Sequence, residues 1–146
     1  MDNIAINHTK ADEISPLTLA FVGDGVYDLL VREYLVKQAN RPVGELNKIK
    51  VSLVNCKSQA KFAKMLMPLL TEKETAIYKR GRNAAPKCTS KHGTVADYHS
   101  ATGLETLFGY LYLNDSTDRI NELFNHIVHT VFNMDSDINE ACQPKK

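Results

Sequence analysis

Only three cysteines, Cys56, Cys88 and Cys142, occur in the 146 residues, and none stands in the CxxC spacing of a zinc or redox site. An odd, unpatterned set excludes a disulfide scaffold and fits reduced thiols in the cytoplasm. The first residues, MDNIAINHTK, lack a basic stretch followed by an apolar core, so no secretory leader is expected. Long apolar runs are missing too. The richest stretch, LTLAFVGDGVYDLLV, carries two Asp and two Gly, which excludes a membrane span. No repeat, low-complexity tract or alternating strand pattern is visible. Serine or cysteine nucleophile motifs, a glycine-rich phosphate loop behind a strand, and a His-Asp dipeptide are all lacking. With 43% hydrophobic and 24% charged residues, the chain suits one compact domain over residues 1–146.

Charge of neither sign is in excess overall: 18 Lys and Arg against 17 Asp and Glu leave a net of +1. The distribution is uneven. Residues 41–91 hold twelve Lys or Arg and three Glu, a net of +9, so the remainder sums to −8. A basic central third between acidic flanks fits either a solvated helix face or a surface for a polyanion.

Helical periodicity dominates. Ser15 and Pro16 predict a helix start, with Ser as the capping residue and Pro in the first turn. Leu17, Phe21, Tyr27, Leu30, Val31, Tyr34 and Leu35 then recur at spacings of a buried helix ending near Lys37. From Gly44, Leu46, Ile49, Leu53 and Val54 give one stripe, continued by Phe62, Met65, Leu66 and Leu69. This run is one bent helix or two, with Asn55 able to restart it. Thr71 to Glu74 form a capping box that opens a short helix to about Lys79. RGRNAAPKCTSKHG has no apolar period and contains Pro86, which predicts a functional loop. A further helix is expected from Thr94 through Tyr112, broken at Asn114-Asp115-Ser116. The last carries Ile120, Leu123, Phe124, Ile127, Val131 and Phe132, before a tail, DINEACQPKK, expected to fray. The fold class is therefore all-α, with five to seven helices and a core over about residues 15–133.

Three features bear on chemistry. Gly23-Asp24-Gly25 interrupts an apolar helix, where two glycines cost about 2 kcal/mol of helix propensity relative to Ala. Either the helix breaks there and Asp24 caps the next turn, or the small neighbours let another helix or a phosphate approach Asp24. Glu105 shares one helical face with Tyr98, Ala101 and Thr102, while Leu104 and Leu107 point elsewhere. It is a surface residue, or it joins Asp24 in holding a divalent cation, since Mg²⁺ takes one or two carboxylates and supports phosphodiester hydrolysis. Finally, Lys79, Arg80, Arg82, Lys87 and Lys91 occur without an intervening acid, beside Asn83, in a pattern suited to phosphate. Lys48, Lys50, Lys57, Lys61 and Lys64 extend this positive field but do not suggest a single stripe. His126 and His129 share a helical face, but no further ligand has zinc spacing apart from a weak Cys88-x-x-x-His92.

At these residues the sequence resembles the ribonuclease III catalytic domain. LAFVGDGVYDLLV resembles the family's signature helix, GELNKIKVSLVN its next helix, and GLETLFGYLYLND the later helix that carries a metal-binding Glu. The three segments stand in the family's order from about residue 15 to 133. Shortness, RGRNA and DYHSATGLE are similar to the mini-ribonuclease III subfamily, which lacks a double-stranded-RNA-binding domain. The resemblance implies a ribonuclease III endonuclease-domain-like helical bundle. It also implies a homodimer that hydrolyses double-stranded RNA with Mg²⁺ to 5′-phosphate and 3′-hydroxyl ends. Asp24 and Glu105 match the family's metal ligands. Three supporting acids do not match: their positions fall on Leu17, Ala20 and Thr102. Tyr98 and Thr102 are the candidates to order water in their place.

With the resemblance, the expectation is a cytoplasmic Mg²⁺-dependent endoribonuclease; that it matures the ends of the 23S ribosomal RNA precursor is what the resemblance implies. Asp24 and Glu105 are the catalytic metal ligands, and Arg80, Arg82, Asn83, Lys87 and Lys91 contact RNA. A ribosomal protein on the substrate is a candidate partner, no membrane is involved, and dimerisation uses Phe21 and Val22. The alternatives are a non-catalytic RNA-binding module of the same fold and a helical protein whose basic patch meets an acidic protein.

Overall fold

The computed structural model describes residues 10–86 and 93–142, with side-chain surroundings through residue 131. Among these residues there are six α-helices and no strand. In order they are α1 (Pro16–Gln38), α2 (Val43–Val54), α3 (Cys56–Leu66), α4 (Glu72–Ala84), α5 (Val95–Leu113) and α6 (Thr117–Cys142). Short 3₁₀ turns precede α1 at Ala11–Glu13 and follow α3 at Met67–Leu69.

Local chemistry explains most of the boundaries. Asn55 ends α2 and caps α3 by accepting from the Ser58 backbone N–H at 2.8 Å, so the second helical region is two helices. Reciprocal capping boxes open α4 at Thr71 and Glu74, and α5 at Thr94 and Asp97. Ser15 stands at the N-cap of α1, but its hydroxyl pairs with the Thr18 hydroxyl and caps no backbone N–H. At the end of α5, Asp115 takes φ 58° and Ser116 N–H donates back to the Leu111 carbonyl at 2.8 Å. Short polar residues tolerate that left-handed turn, which reverses the chain into α6. The α6 backbone continues helical to Cys142, beyond the apolar stripe that ends at Phe132.

α5 is the central rod. It packs chiefly on α1, α4 and α3, and ten of its 19 residues are buried, so it is apolar on nearly every side. Tyr27, Leu104, Leu107, Phe108 and Leu123 form the centre of the core. Tyr27 sits edge-on to Phe108 and Phe124, and its hydroxyl donates to the Leu53 carbonyl at 2.9 Å. Away from this centre, Glu74 of α4 is buried against Arg119 of α6 in a two-pronged ion pair of 2.8 and 2.9 Å. The Arg119 guanidinium holds that carboxyl below its ordinary range.

Several sequence expectations change. Leu17 and Phe21 belong to no buried face: Phe21 is 82% exposed, and the core side of α1 is Leu19, Ala20, Gly23, Tyr27, Val31 and Leu35. RGRNA is not loop. Arg80, Arg82 and Asn83 lie on the last turns of α4, because Gly81 and Ala85 continue its buried side. Small residues bury a helix without contributing to apolar periodicity, so the pattern stopped short. Lys87 and Lys91 fall outside the described residues, as do Cys88 and His92.

Candidate active site

The Gly-Asp-Gly triplet does not break α1, which runs unbroken from Pro16 to Gln38. Gly23 lies on the backbone of α5: a Cβ there would overlap the carbonyl of Glu105. Gly109 makes the reciprocal approach, where a Cβ would overlap the carbonyl of Leu19. Two glycines thus allow the two helices to cross backbone to backbone. Asp24, next to Gly23, and Glu105, opposite it, are carried to the same crossing.

Both acids line one pocket of about 500 Å³. α1 contributes Leu17, Ala20, Phe21 and Asp24, and α5 contributes Tyr98, Ala101, Thr102 and Glu105. The far wall is Asn55, Cys56 and Gln59, with Pro86 at the edge. The four-residue face expected on α5 is therefore the face that borders Asp24. Asp24 itself is exposed, whereas Glu105 is half-buried.

Burial is the main cause that pushes the Glu105 carboxyl up to about 7, and the negative charge of Asp24 adds to it. A hydrogen bond from Gln59 opposes the shift. No Lys or Arg forms an ion pair with either carboxylate among the described residues. Two uncompensated acids in one concavity form a donor set that suits a hard divalent cation, which takes carboxylate oxygens and completes its shell with water. No group of three or more His, Cys, Asp or Glu placed to hold a metal occurs among the described residues.

The titration has a consequence for stability. Folded Glu105 binds its proton up to about pH 7, whereas an ordinary Glu releases it near 4.5. Stability of the metal-free protein therefore falls as pH rises through that window and then levels off. Glu105→Gln removes the penalty. In EDTA it is expected to raise stability at about pH 8 by at most about 3 kcal/mol, and by nothing at about pH 4. Thermal melts at both pH values decide the matter: parallel curves for variant and wild type would refute the buried, Asp24-facing carboxylate.

Thr102 and Tyr98 are both in the pocket, but Thr102 has spent its proton, donating to the Tyr98 carbonyl at 2.9 Å. Toward water it acts as an acceptor. The sequence reading passed over Gln59. This side chain is only 2% exposed, and its Nε2 donates to the Val54 carbonyl at 2.8 Å. Its Oε1 is buried with no hydrogen-bond partner, an arrangement costing about 1–3 kcal/mol. A signal was present: Gln59 occupies the stripe of Phe62, Ala63 and Leu66, where only apolar residues are expected. The basic candidates are not gathered together. Arg82 is half-buried against Tyr78, while Arg80 and Asn83 are exposed elsewhere on α4.

Among the described residues the domain is all-helical, and its two crossing helices each lend a carboxylate to a shared pocket, a geometry compatible with the class of helical metal-dependent hydrolases. The ribonuclease III domain model matches residues 17–116, so both acids lie inside the match, and the chain belongs to the ribonuclease III family. Within it, the chain is similar to Mini-ribonuclease 3 of Thermoanaerobacter sp. strain X514, 42% identical over 118 residues, or 81% of this chain and 83% of that one. Mini-ribonuclease 3 of Staphylococcus aureus strain NCTC 8325 is 37% identical over 133 residues, covering 90% of this chain and 98% of the relative. An X-ray crystal structure of a Fusobacterium nucleatum protein superposes with a TM-score of 0.76 at 31% identity, covering 84% of this chain and 98% of the other.

Proposed function

We propose that this ribonuclease III-family endoribonuclease cuts double-stranded RNA with Mg²⁺ as a homodimer. In the cytoplasm it matures the ends of the 23S ribosomal RNA precursor, aided by a ribosomal protein on the substrate. What supports the reading is the meeting of Asp24 and Glu105, some eighty positions apart in the chain, in a pocket where no cationic side chain among the described residues pairs them. In this reading both carboxylates hold Mg²⁺. The bound ion supplies Lewis acidity and charge stabilisation for phosphodiester hydrolysis to 5′-phosphate and 3′-hydroxyl ends. Tyr98 donates to water at the pocket wall and Thr102 accepts from it. Gln59 holds the Glu105 carboxylate in place from the α3 side. Arg80, Arg82, Asn83, Lys87 and Lys91 contact the duplex.

Purified protein incubated with duplex RNA and MgCl₂ is expected to cut it, and to stop when EDTA is added. Binding without cutting would favour the non-catalytic RNA-binding module, consistent with acids replaced at Leu17, Ala20 and Thr102. Neither activity would favour the protein-interaction reading.

The dimer has its own support in α1. Leu17, Phe21, Leu29 and Val36 stand along one side of the helix, and all are exposed. Gly25 lies in the same row, and a Cβ there would meet nothing of its own chain. An exposed apolar ridge, interrupted by the Asp28–Arg32 ion pair, is a liability unless covered, and the bare backbone at Gly25 admits a close partner. Light scattering is expected to give twice 16.4 kDa for the wild type and 16.4 kDa for Phe21→Asp. A Phe21→Asp variant that keeps the doubled mass would remove this ridge as the interface.

A further inference from the structure

A second concavity lies on the other side of α3, about 690 Å³ in volume, and neither Asp24 nor Glu105 borders it. Lys57, Lys61 and Lys64 line it from α3, Arg82 from α4, and Asp97 and Ser100 from α5. The three lysines stand at i, i+4 and i+7 and form one stripe on α3, while Lys48 and Lys50 lie on α2, outside it. Elsewhere in the basic third of the chain, Lys50 pairs with Asp28 at 3.4 Å, Lys73 with Asp12 at 3.1 Å, and Arg41 with Glu45 at 3.8 Å, while Lys48, Lys79 and Arg80 do not border this concavity with the lysines of α3. By contrast, Lys57, Lys64 and Arg82 have no ion-pair partner among the described residues. Asp97 is the one carboxylate in the lining, and it is engaged in capping α5, its Oδ2 accepting from the Thr94 N–H at 3.1 Å. The Arg82 guanidinium lies 5.9 Å from the centre of the Tyr78 ring, which steadies its planar fork.

Lys57, Lys64 and Arg82, without an ion-pair partner among the described residues, repel each other across the groove and are relieved by an anion. Their extent indicates which kind. From Lys57 to Lys64 the helix rises by roughly 10 Å, too long for one phosphate to bridge and suited to a phosphate chain. Position narrows the choice further. Cys56 and Gln59 border the carboxylate pocket, while Lys57 and Ser58, between them in sequence, border the basic groove. The two sites share the first turn of α3 as a common wall.

We propose that this groove binds the sugar-phosphate backbone of duplex RNA, receiving the strand as it leaves the carboxylate pocket across the first turn of α3. The inference rests on the endoribonuclease reading above and adds a binding track separate from the acids. Duplex RNA is held mainly through phosphates and shape, so each lysine contributes to affinity without reading sequence.

The test is a salt titration of duplex RNA binding in EDTA, where cutting is stopped. The groove variant is Lys57→Ala with Lys61→Ala and Lys64→Ala. A control of equal charge is Lys10→Ala with Lys48→Ala and Lys73→Ala, none of which borders the groove. Alanine is the best helix former, so α3 is expected to stay folded, and a circular-dichroism melt checks it. The groove variant should bind at least about tenfold more weakly at moderate salt, with a log affinity–log salt slope shallower by about 2 to 3. The control should stay within about threefold of wild type, with a slope change below about 1. In MgCl₂ the groove variant should show a raised KM and a kcat close to wild type.

Wild-type affinity and slope in the groove variant would overturn the groove assignment while leaving the endoribonuclease reading intact. An equal loss in the control would also overturn it, because net charge alone would then explain the effect. Should wild-type protein neither bind nor cut duplex RNA, the endoribonuclease reading fails and the groove proposal with it. Polyglutamate held by wild type and lost in the groove variant would in that case assign the groove to an acidic protein.

Discussion

Asp24→Asn and Glu105→Gln are each expected to lower the rate of duplex RNA cleavage in MgCl₂ by on the order of a thousandfold, the scale of losing several kcal/mol of charge stabilisation. Both changes keep the side chain's shape and remove the negative oxygen that a hard cation selects. The geometry predicts more than loss of activity. Asp24 is exposed, so Asp24→Asn should leave the melting temperature close to wild type. Glu105 is pushed up to about 7 by burial and by Asp24, so Glu105→Gln should stabilise the metal-free protein above that pH while abolishing cutting. Binding of duplex RNA in EDTA should persist in both variants, because the basic groove contains neither acid. Single-turnover cleavage assays measure the first effect. A rate within tenfold of wild type in either variant would detach that acid from catalysis.

Gly23→Ala is expected to cost about 4–5 kcal/mol of stability, at the extreme end for one methyl group. On a continuous helix the same change normally stabilises by about 1 kcal/mol, because Ala is the better helix former. Here the added Cβ would overlap the Glu105 carbonyl oxygen and carbon, and backbone atoms of a central helix cannot rotate aside. α1 and α5 would have to separate, drawing Asp24 away from Glu105. Cleavage should therefore fall with stability, even at temperatures where the variant remains folded. Gly25→Ala is the internal comparison. It is two residues along the same helix and meets nothing of its own chain, so no comparable loss of monomer stability is expected. Denaturant melts of the two variants provide the measurement, and a mild Gly23→Ala would mean that the helices do not cross backbone to backbone.

Helix positions were largely legible because each depends on neighbours within a turn or two. The capping box at Thr71 and Glu74, the restart at Asn55 and the stop at Asn114–Ser116 are all local arrangements, and all are present. The failure at Arg80–Ala84 has the same origin. That segment stays helical through burial of Gly81 against Thr106 and of Ala85, small residues whose contribution is visible only when the partner helix is known. Leu17 and Phe21 failed in the opposite sense. Apolar character placed them in the core, but the side of α1 that meets α5 is chosen by Gly23, and they stand away from it.

By itself the sequence determined an all-α chain, the helix boundaries set by local caps, its basic central third, and a resemblance that singled out Asp24 and Glu105. Only the tertiary structure decided that these two acids border one pocket, that Gln59 is buried beside them with an unpaired oxygen, and that three lysines face Arg82 across a groove. The physical reason is range. Helix periodicity and capping act over a few residues of backbone, so composition and spacing encode them directly. Which helix faces meet depends on contacts between residues tens of positions apart, and here on the two glycines that set how closely α1 and α5 can lie.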